Sequence, residues 1–149
     1  MDLSAELSAL LSNRLVEIAE LAAAVQRFLN VFDVPQHTVY EINLSLDELL
    51  TNIISYGYAD DRRHLIQVSV GVTAGAIDVR IEDDAAPFDP FARKPVDVGA
   101  AIDDREPGGL GIHLVKEMME HAAYQRLDGR NRVTLRRSFV AGDRAQQRE

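Results

Sequence analysis

Three short stretches of this sequence hold residues whose types and spacing could do chemistry. The first is Asp47, Glu48 and Asn52, set in an otherwise apolar run. Glu48 and Asn52 are four apart, which on a helix puts both side chains on one face. There an amide oxygen can ligate a hard cation such as Mg²⁺, while the neighbouring carboxylate orients a nucleophile or accepts its proton. Taken alone, the same residues also describe the solvated strip of an amphipathic helix. The second stretch is Glu82-Asp83-Asp84-Ala85-Ala86-Pro87-Phe88-Asp89, directly after an alternating apolar run. A carboxylate at Asp83, where the chain leaves a sheet among small residues, can accept a hydrogen bond from a purine amino group against an apolar wall. Asp and Pro are also ordinary turn residues, so the bare pattern fits an acidic loop as well. The third stretch, Pro107-Gly108-Gly109-Leu110-Gly111, opens a helical pattern. Glycines let a backbone approach an anion closely, and a helix start offers N–H groups with a favourable dipole. It is neither a Walker A motif nor a GxGxxG after a strand.

The elements that must position these residues follow from hydrophobic period. Leu15, Ile18, Ala22, Val25, Leu29 and Phe32 recur at spacings of three and four and predict a helix over 13–32, capped by Ser12 or Asn13. Asp33-Val34-Pro35 ends it. A second helix runs through Val39, Ile42, Leu46, Leu49, Leu50 and Ile53 to Tyr56-Gly57. The period then drops to two: Ile66, Val68, Val70 and Val72, a turn at Thr73-Ala74-Gly75, then Ile77, Val79 and Ile81, an antiparallel hairpin with one buried face. Asp89 to Pro107 lacks any apolar period and reads as a long irregular loop, of a length that is usually functional or mobile. A third helix over 110–121 and a second hairpin, 124–127 and 133–139 about Asp128-Gly129-Arg130-Asn131, complete the chain. A short edge strand over 5–10 is compatible with the first residues. Helices alternating with hairpins predict an α+β two-layer sandwich: a mostly antiparallel, mixed sheet with about three helices on one face. The expected single domain covers 1–140, followed by a polar tail at 141–149.

Bulk properties narrow the function classes. The 149 residues are 46% apolar and 27% charged, ordinary globular composition with enough chain for one core. A net charge of −8 argues against a general nucleic-acid or anionic-membrane binder. It leaves phosphate recognition open, because backbone N–H groups suffice for that. The absence of cysteine excludes disulfides, thiol nucleophiles and cysteine-bound metals. The first residues lack a basic stretch of the secretory kind, and no apolar run approaches a bilayer-spanning length, so a cytoplasmic location is expected. His37, His64, His113 and His121 show no metal-ligand spacing. Arg126, Arg130, Arg132, Arg136 and Arg137 give the last hairpin a basic character, which suits either an acidic partner or local charge balance.

In order, spacing and context the three stretches resemble one family. Leu46 to Tyr58 resembles the N box of the ATPase superfamily shared by gyrase, histidine kinases and MutL-type proteins, whose domain is the Bergerat fold. Asp83 to Pro90 is similar to its G1 box, Gly108 to Val115 to its G2 box, and Asp128 to Leu135 to its closing strands. The Pro-Phe-Asp-Pro and Gly-Gly-Leu-Gly-Ile-His-Leu wording is most similar to the anti-sigma-factor serine kinases. The resemblance implies ATP and Mg²⁺ as cofactors, with Asn52 holding the metal and Glu48 acting as base toward a substrate serine. It implies that Asp83 binds the adenine amino group, helped through a water by Thr134, with Ala85 and Phe88 beside it. Gly108, Gly109, Leu110 and Gly111 would close over the phosphates, and 89–107 would form an ATP lid whose Arg93, Lys94 and Arg105 could reach them or be solvated loop charge. A STAS-type anti-anti-sigma protein is the implied substrate, a sigma factor a further partner, and a homodimer the implied assembly.

Two positions depart from that family's pattern. The G1 box usually has glycine where Ala85 stands, and alanine adds a methyl and disfavours positive φ. The N box often has histidine where Tyr56 stands, so an imidazole contact is absent. The alternative function, favoured by Ala85, is a nucleotide-gated or kinase-inactive module that sequesters a signalling partner.

Overall fold

The computed structural model describes residues 4–92 and 109–142. Gly108, Arg93, Lys94, Arg105 and most of the 89–107 segment lie outside the described residues, as do residues 143–149 of the tail. The described elements run β1 (Ala5–Ser12), α1 (Val16–Val31), α2 (Gln36–Tyr56), β2 (Leu65–Thr73), β3 (Ala76–Asp83), α3 (Gly109–Met118), β4 (His121–Leu127) and β5 (Arg130–Ser138).

The strands form one five-stranded sheet in the order β1-β2-β3-β5-β4. Each of its four pairings is antiparallel, so among the described residues the sheet is not mixed. Hairpins explain why: β2–β3 and β4–β5 are each joined by a two-residue turn, which forces antiparallel neighbours. Asp128 and Gly129 both take positive φ, 52° and 76°, the left-handed pair a tight hairpin with native twist requires. The turn is therefore shorter than the four residues the sequence suggests, and β5 begins at Arg130.

Alternation along the strands sets the two faces. Ile66, Val68, Val70, Val72, Ile77, Val79, Ile81, Val133 and Leu135 are buried under the helices. From α2, Ile42, Leu46 and Leu50 are each at most 2% exposed and meet that face. Full burial of such a side chain contributes about 1.5–3 kcal/mol. The opposite sheet face carries charge, paired across strands: Arg136 Nη1 lies 2.9 Å from Asp78 Oδ1, and Arg132 Nε 2.8 Å from Glu82 Oε1. Much of the basic character of the last hairpin is thus neutralised within the sheet. Arg137 reaches Glu41 of α2 at 3.4 Å on the helix side.

Helix α1 begins at Val16, later than its period suggests, because Ser12 and Asn13 are used elsewhere. The Ser12 backbone N–H and hydroxyl both donate to the Glu17 carboxylate. Asn13 donates to the Arg62 carbonyl at 3.1 Å and accepts from the His64 N–H at 2.9 Å. Neither residue caps the helix: Ser12 ties β1 to the first turn of α1, and Asn13 ties it to the entry of β2. Helix α3 ends at Met118 rather than near 121, since His121 already pairs with Arg136 in the sheet.

Candidate functional site

Helix α2 and the end of β3 face one another across a cavity of about 260 Å³. From the helix, Leu49, Asn52, Ile53, Tyr56 and Gly57 line it; from the sheet, Asp83, Asn131 and Val133. The turn after β3 closes it with Ala85, Phe88 and Pro90. Four of the residues singled out in the sequence, Asn52, Asp83, Ala85 and Phe88, therefore share one mostly apolar pocket. Its polar groups are few and fixed in place, the usual composition of a small-molecule site.

Asp83 is the last residue of β3, and the inner-face alternation turns its side chain toward the helices. It is 2% exposed. Its Oδ1 accepts from the Ala85 N–H at 2.9 Å, an Asx turn that bends the chain out of the strand. The same oxygen accepts from Asn131 Nδ2 at 2.8 Å. Burial pushes the carboxyl above the usual carboxylate range, while these two bonds pull it back down. A buried carboxylate anchored through one oxygen leaves the other as a hydrogen-bond acceptor for a ligand.

In the sequence Asn131 has only the signature of a turn residue. It pairs with Asp83 across β3–β5, and its amide also donates to the carbonyls of Ala86 at 3.0 Å and Ala85 at 3.3 Å. The place foreseen for Thr134 is not at this site. Thr134 pairs with Arg80, on the sheet face turned away from the helices. The buried Val133 and Leu135 on either side fix that parity, since successive strand residues point to opposite faces. The signal was thus present in the sequence: an apolar 133 and 135 put 131, not 134, on the face of Asp83.

Ala85 sits without strain. Among the described residues the non-glycine residues with positive φ are Asp33 and Asp128, so the turn does not demand a glycine at 85. Its methyl is buried against Gly57 at the end of α2. A Cβ at Gly57 would stand 2.9 Å from the Ala85 Cβ and 2.5 Å from the Ile53 carbonyl oxygen. Gly57 has an ordinary helical φ of −81°, so the sequence's argument for a helix-ending glycine gives way to one of space. The Ala86 N–H also donates to the Gly57 carbonyl at 3.3 Å, tying turn to helix.

Beside Asn52, Glu48 lies one helical turn back. Asn52 Nδ2 donates to Glu48 Oε1 at 3.4 Å, which keeps the Asn52 carbonyl oxygen available for a cation. The Glu48 carboxylate lies against Gly111 in the first turn of α3, so closely that any side chain at 111 would overlap it. Gly109 starts that helix. Leu110 is 40% exposed and does not line the cavity. No group of three or more metal-ligating side chains occurs among the described residues. A metal here would take one protein oxygen and draw its other ligands from substrate and water, which suits Mg²⁺.

On the far side of the same turn, Tyr58 and His64 stack with ring centroids 4.0 Å apart and planes 14° from parallel. The Tyr58 hydroxyl donates to Asp84 Oδ1 at 3.1 Å, and His64 bridges Asp60 at 2.7 Å and Asp84 at 3.4 Å. The bond to Asp60 raises the His64 imidazole above its usual value, opposed by desolvation and reinforced by Asp84.

Residues 11–137 match the histidine kinase-like ATPase domain family. The serine/threonine-protein kinase BtrW of Bordetella bronchiseptica is 31% identical over 96 residues, covering 64% of this chain and 68% of that protein. The serine-protein kinase RsbW of Bacillus subtilis is 25% identical over 96 residues, covering 61% of this chain and 59% of that protein. The chain thus matches little more than half to two thirds of these relatives' lengths. A crystal structure of RsbU and RsbW domains from Mycobacterium tuberculosis shares the fold with a TM-score of 0.66 over 91% of this chain and 32% of that one, at 14% identity. Among the described residues no helix is long and apolar enough to cross a membrane. The match over residues 11–137, carried on this sheet-and-helix architecture, makes the chain a member of the histidine kinase-like ATPase domain family, of the kind found in the anti-sigma-factor serine kinases.

Proposed function

We propose that this chain is a protein-serine kinase: it binds ATP with Mg²⁺ and phosphorylates a serine of a small STAS-type anti-anti-sigma partner, acting as an anti-sigma regulatory factor. The observation that carries the reading is the convergence of Asn52 and buried Asp83 on one cavity, with the Glu48 carboxylate one turn from Asn52 and against Gly111. The names of the relatives support the kinase class. The same reading takes the chain as cytoplasmic, dimeric and able to hold a sigma factor.

The residues fit the two cofactors. The carboxylate of Asp83, anchored through Oδ1, presents an acceptor in an apolar cavity, the complement of a purine amino group. The Asn52 carbonyl oxygen is a hard ligand, and the Gly111 backbone, bare of a side chain, gives the Glu48 carboxylate its place against the first turn of α3. Mg²⁺, when bound, supplies neutralisation of phosphate charge. Glu48 orients the serine hydroxyl and takes its proton as that oxygen bonds to the γ-phosphorus and the β–γ bridge bond breaks, leaving ADP. Catalysis of this kind rests on position and electrostatics more than on covalent chemistry by the protein.

The test is phosphoserine formation. With ATP, Mg²⁺ and a cognate STAS-type protein, mass spectrometry should find one phosphoserine on the partner, lost with Glu48→Ala. ATP binding without phosphoserine, or equal labelling with Glu48→Ala, would overturn the kinase reading in favour of a module that only sequesters its partner.

A further inference from the structure

Asn131 is held from both sides more completely than any other polar side chain of the cavity. Its Nδ2 faces three acceptors: Asp83 Oδ1 at 2.8 Å, the Ala86 carbonyl at 3.0 Å and the Ala85 carbonyl at 3.3 Å. Its Oδ1 faces three donors: the Tyr124 hydroxyl at 2.6 Å, Arg126 Nη1 at 3.1 Å and, at the long limit, the Phe88 N–H at 3.4 Å. The reversed amide would set oxygen against three acceptors and NH₂ against three donors, so this network admits one orientation. Register explains the convergence. Arg126 pairs directly with Asn131 across β4–β5, and Tyr124, two residues earlier, shares its face. Arg126 Nη1 donates at the same time to the Ala85 carbonyl at 3.0 Å. Tyr124 and Arg126 thus hold Asn131, and Asn131 holds both Asp83 and the turn that walls the cavity.

From this geometry we infer that Asn131, braced by Tyr124 and Arg126, is the positioning residue that sets base selectivity, by occupying Asp83 Oδ1 and leaving only Oδ2 to accept from a 6-amino purine. The inference rests on the nucleotide-binding reading above. A 6-oxo purine would bring a carbonyl against that acceptor and be refused, as sites built on a hydrogen bond refuse analogues that cannot make it. The role goes beyond support of the fold, because the amide also governs the protonation of Asp83. Burial already pushes that carboxyl up, and the Asn131 bond is the strongest influence restraining it. Without the amide, Asp83 takes up a proton more readily, and a protonated carboxyl can donate to a 6-oxo group.

The experiment is calorimetric titration of the whole chain with ATP and with GTP, each with Mg²⁺, alongside unfolding temperatures without nucleotide. The wild-type chain should prefer ATP. Asn131→Leu should weaken ATP at least about tenfold, the usual consequence of losing a hydrogen bond to a charged group, while GTP changes much less. Tyr124→Phe and Arg126→Met each remove one donor to Asn131 and should narrow the preference about two- to fourfold. These two milder variants carry the test if Asn131→Leu does not fold. A loss of ATP and GTP by the same factor, with the preference intact, overturns the inference and leaves ATP binding standing. If the wild-type chain binds neither nucleotide, the nucleotide-binding reading falls and this inference with it.

Discussion

The two sides of the cavity are built on opposite plans. Around Asp83 the supporting groups are tied down: Asn131 makes contacts on both ends of its amide, and the 85–88 turn is bonded to β5, to Arg126 and to α2. On the other side Asn52 and Glu48 are joined by a hydrogen bond of 3.4 Å, and the bare backbone of Gly111 gives the Glu48 carboxylate its space beside α3. A recognition group gains from rigidity, since its partner is always the same and ordering costs are met on folding. A group proposed to take up a proton and meet a second protein gains instead from space around it. On the proposed function, the contrast sets specificity on one side and reactivity on the other.

That division can be broken at either side. The largest effect is expected from Glu48→Gln, which keeps size and the bond to Asn52 but cannot accept a proton. Phosphotransfer measured in single turnover should fall by about 10²–10⁴, while ATP affinity moves less than about threefold. A matching loss of affinity would show that the two sides are not separable. Next comes Asp83→Asn. One amide atom must then turn NH₂ toward either the ligand or Asn131, so ATP affinity should fall about 30- to 100-fold, with loss of ATP-dependent thermal stabilisation as the readout.

Packing between the sides gives a third, smaller effect. Gly57→Ala puts a methyl 2.9 Å from the Ala85 Cβ and 2.5 Å from the Ile53 carbonyl, and should cost about 1–3 kcal/mol of stability in denaturant titration. Adding Ala85→Gly should recover part of that cost, because it removes one of the two clashes. An additive pair of substitutions would disprove the claim that Gly57 and Ala85 are fitted to each other.

The smallest effect concerns His64, which ties the turn to the loop before β2. Its folded-state pKa is raised by Asp60 and Asp84, so the protonated form contributes stability. That contribution is complete below the unfolded value, about 6.5, and is lost as pH rises through the folded one. Both carboxylates stay ionised across this window. Melting curves between pH 6 and 8 should therefore show stability falling with pH, and His64→Gln should flatten the slope. An unchanged slope would mean that the bridge contributes nothing.

Much of this arrangement was legible in the residue pattern. Periods of 3.6 and 2 gave both long helices and both hairpins, because each element buries a single face and the apolar spacing records it. The first two motifs point to the cavity that α2 and the β3 exit form, while no described residue of the third lines it. What stayed hidden was cross-strand: that Arg136 meets Asp78, that Arg132 meets Glu82, and that Asn131 meets Asp83 depend on register, which no local window contains. Ser12 and Asn13 have the residue types of caps, yet Ser12 donates to the Glu17 side chain and Asn13 is taken by Arg62 and His64, far away in sequence. Thr134 differs: only the family resemblance pointed to it, while the buried Val133 and Leu135 on either side put it on the outer face.

The strand order has a consequence in time. Because β5 is inserted between β3 and β4, Asp83 meets Asn131 across a sequence separation of 48 residues. During synthesis the first helices and the β2–β3 hairpin can collapse together well before that partner leaves the ribosome. Until the last hairpin slides in beside β3, the edge of β3 is bare and the Asp83 carboxylate has lost its main restraint. Nucleotide recognition is thus the final step of folding here, and a nearly finished chain should be blind to the ligand that the finished one selects.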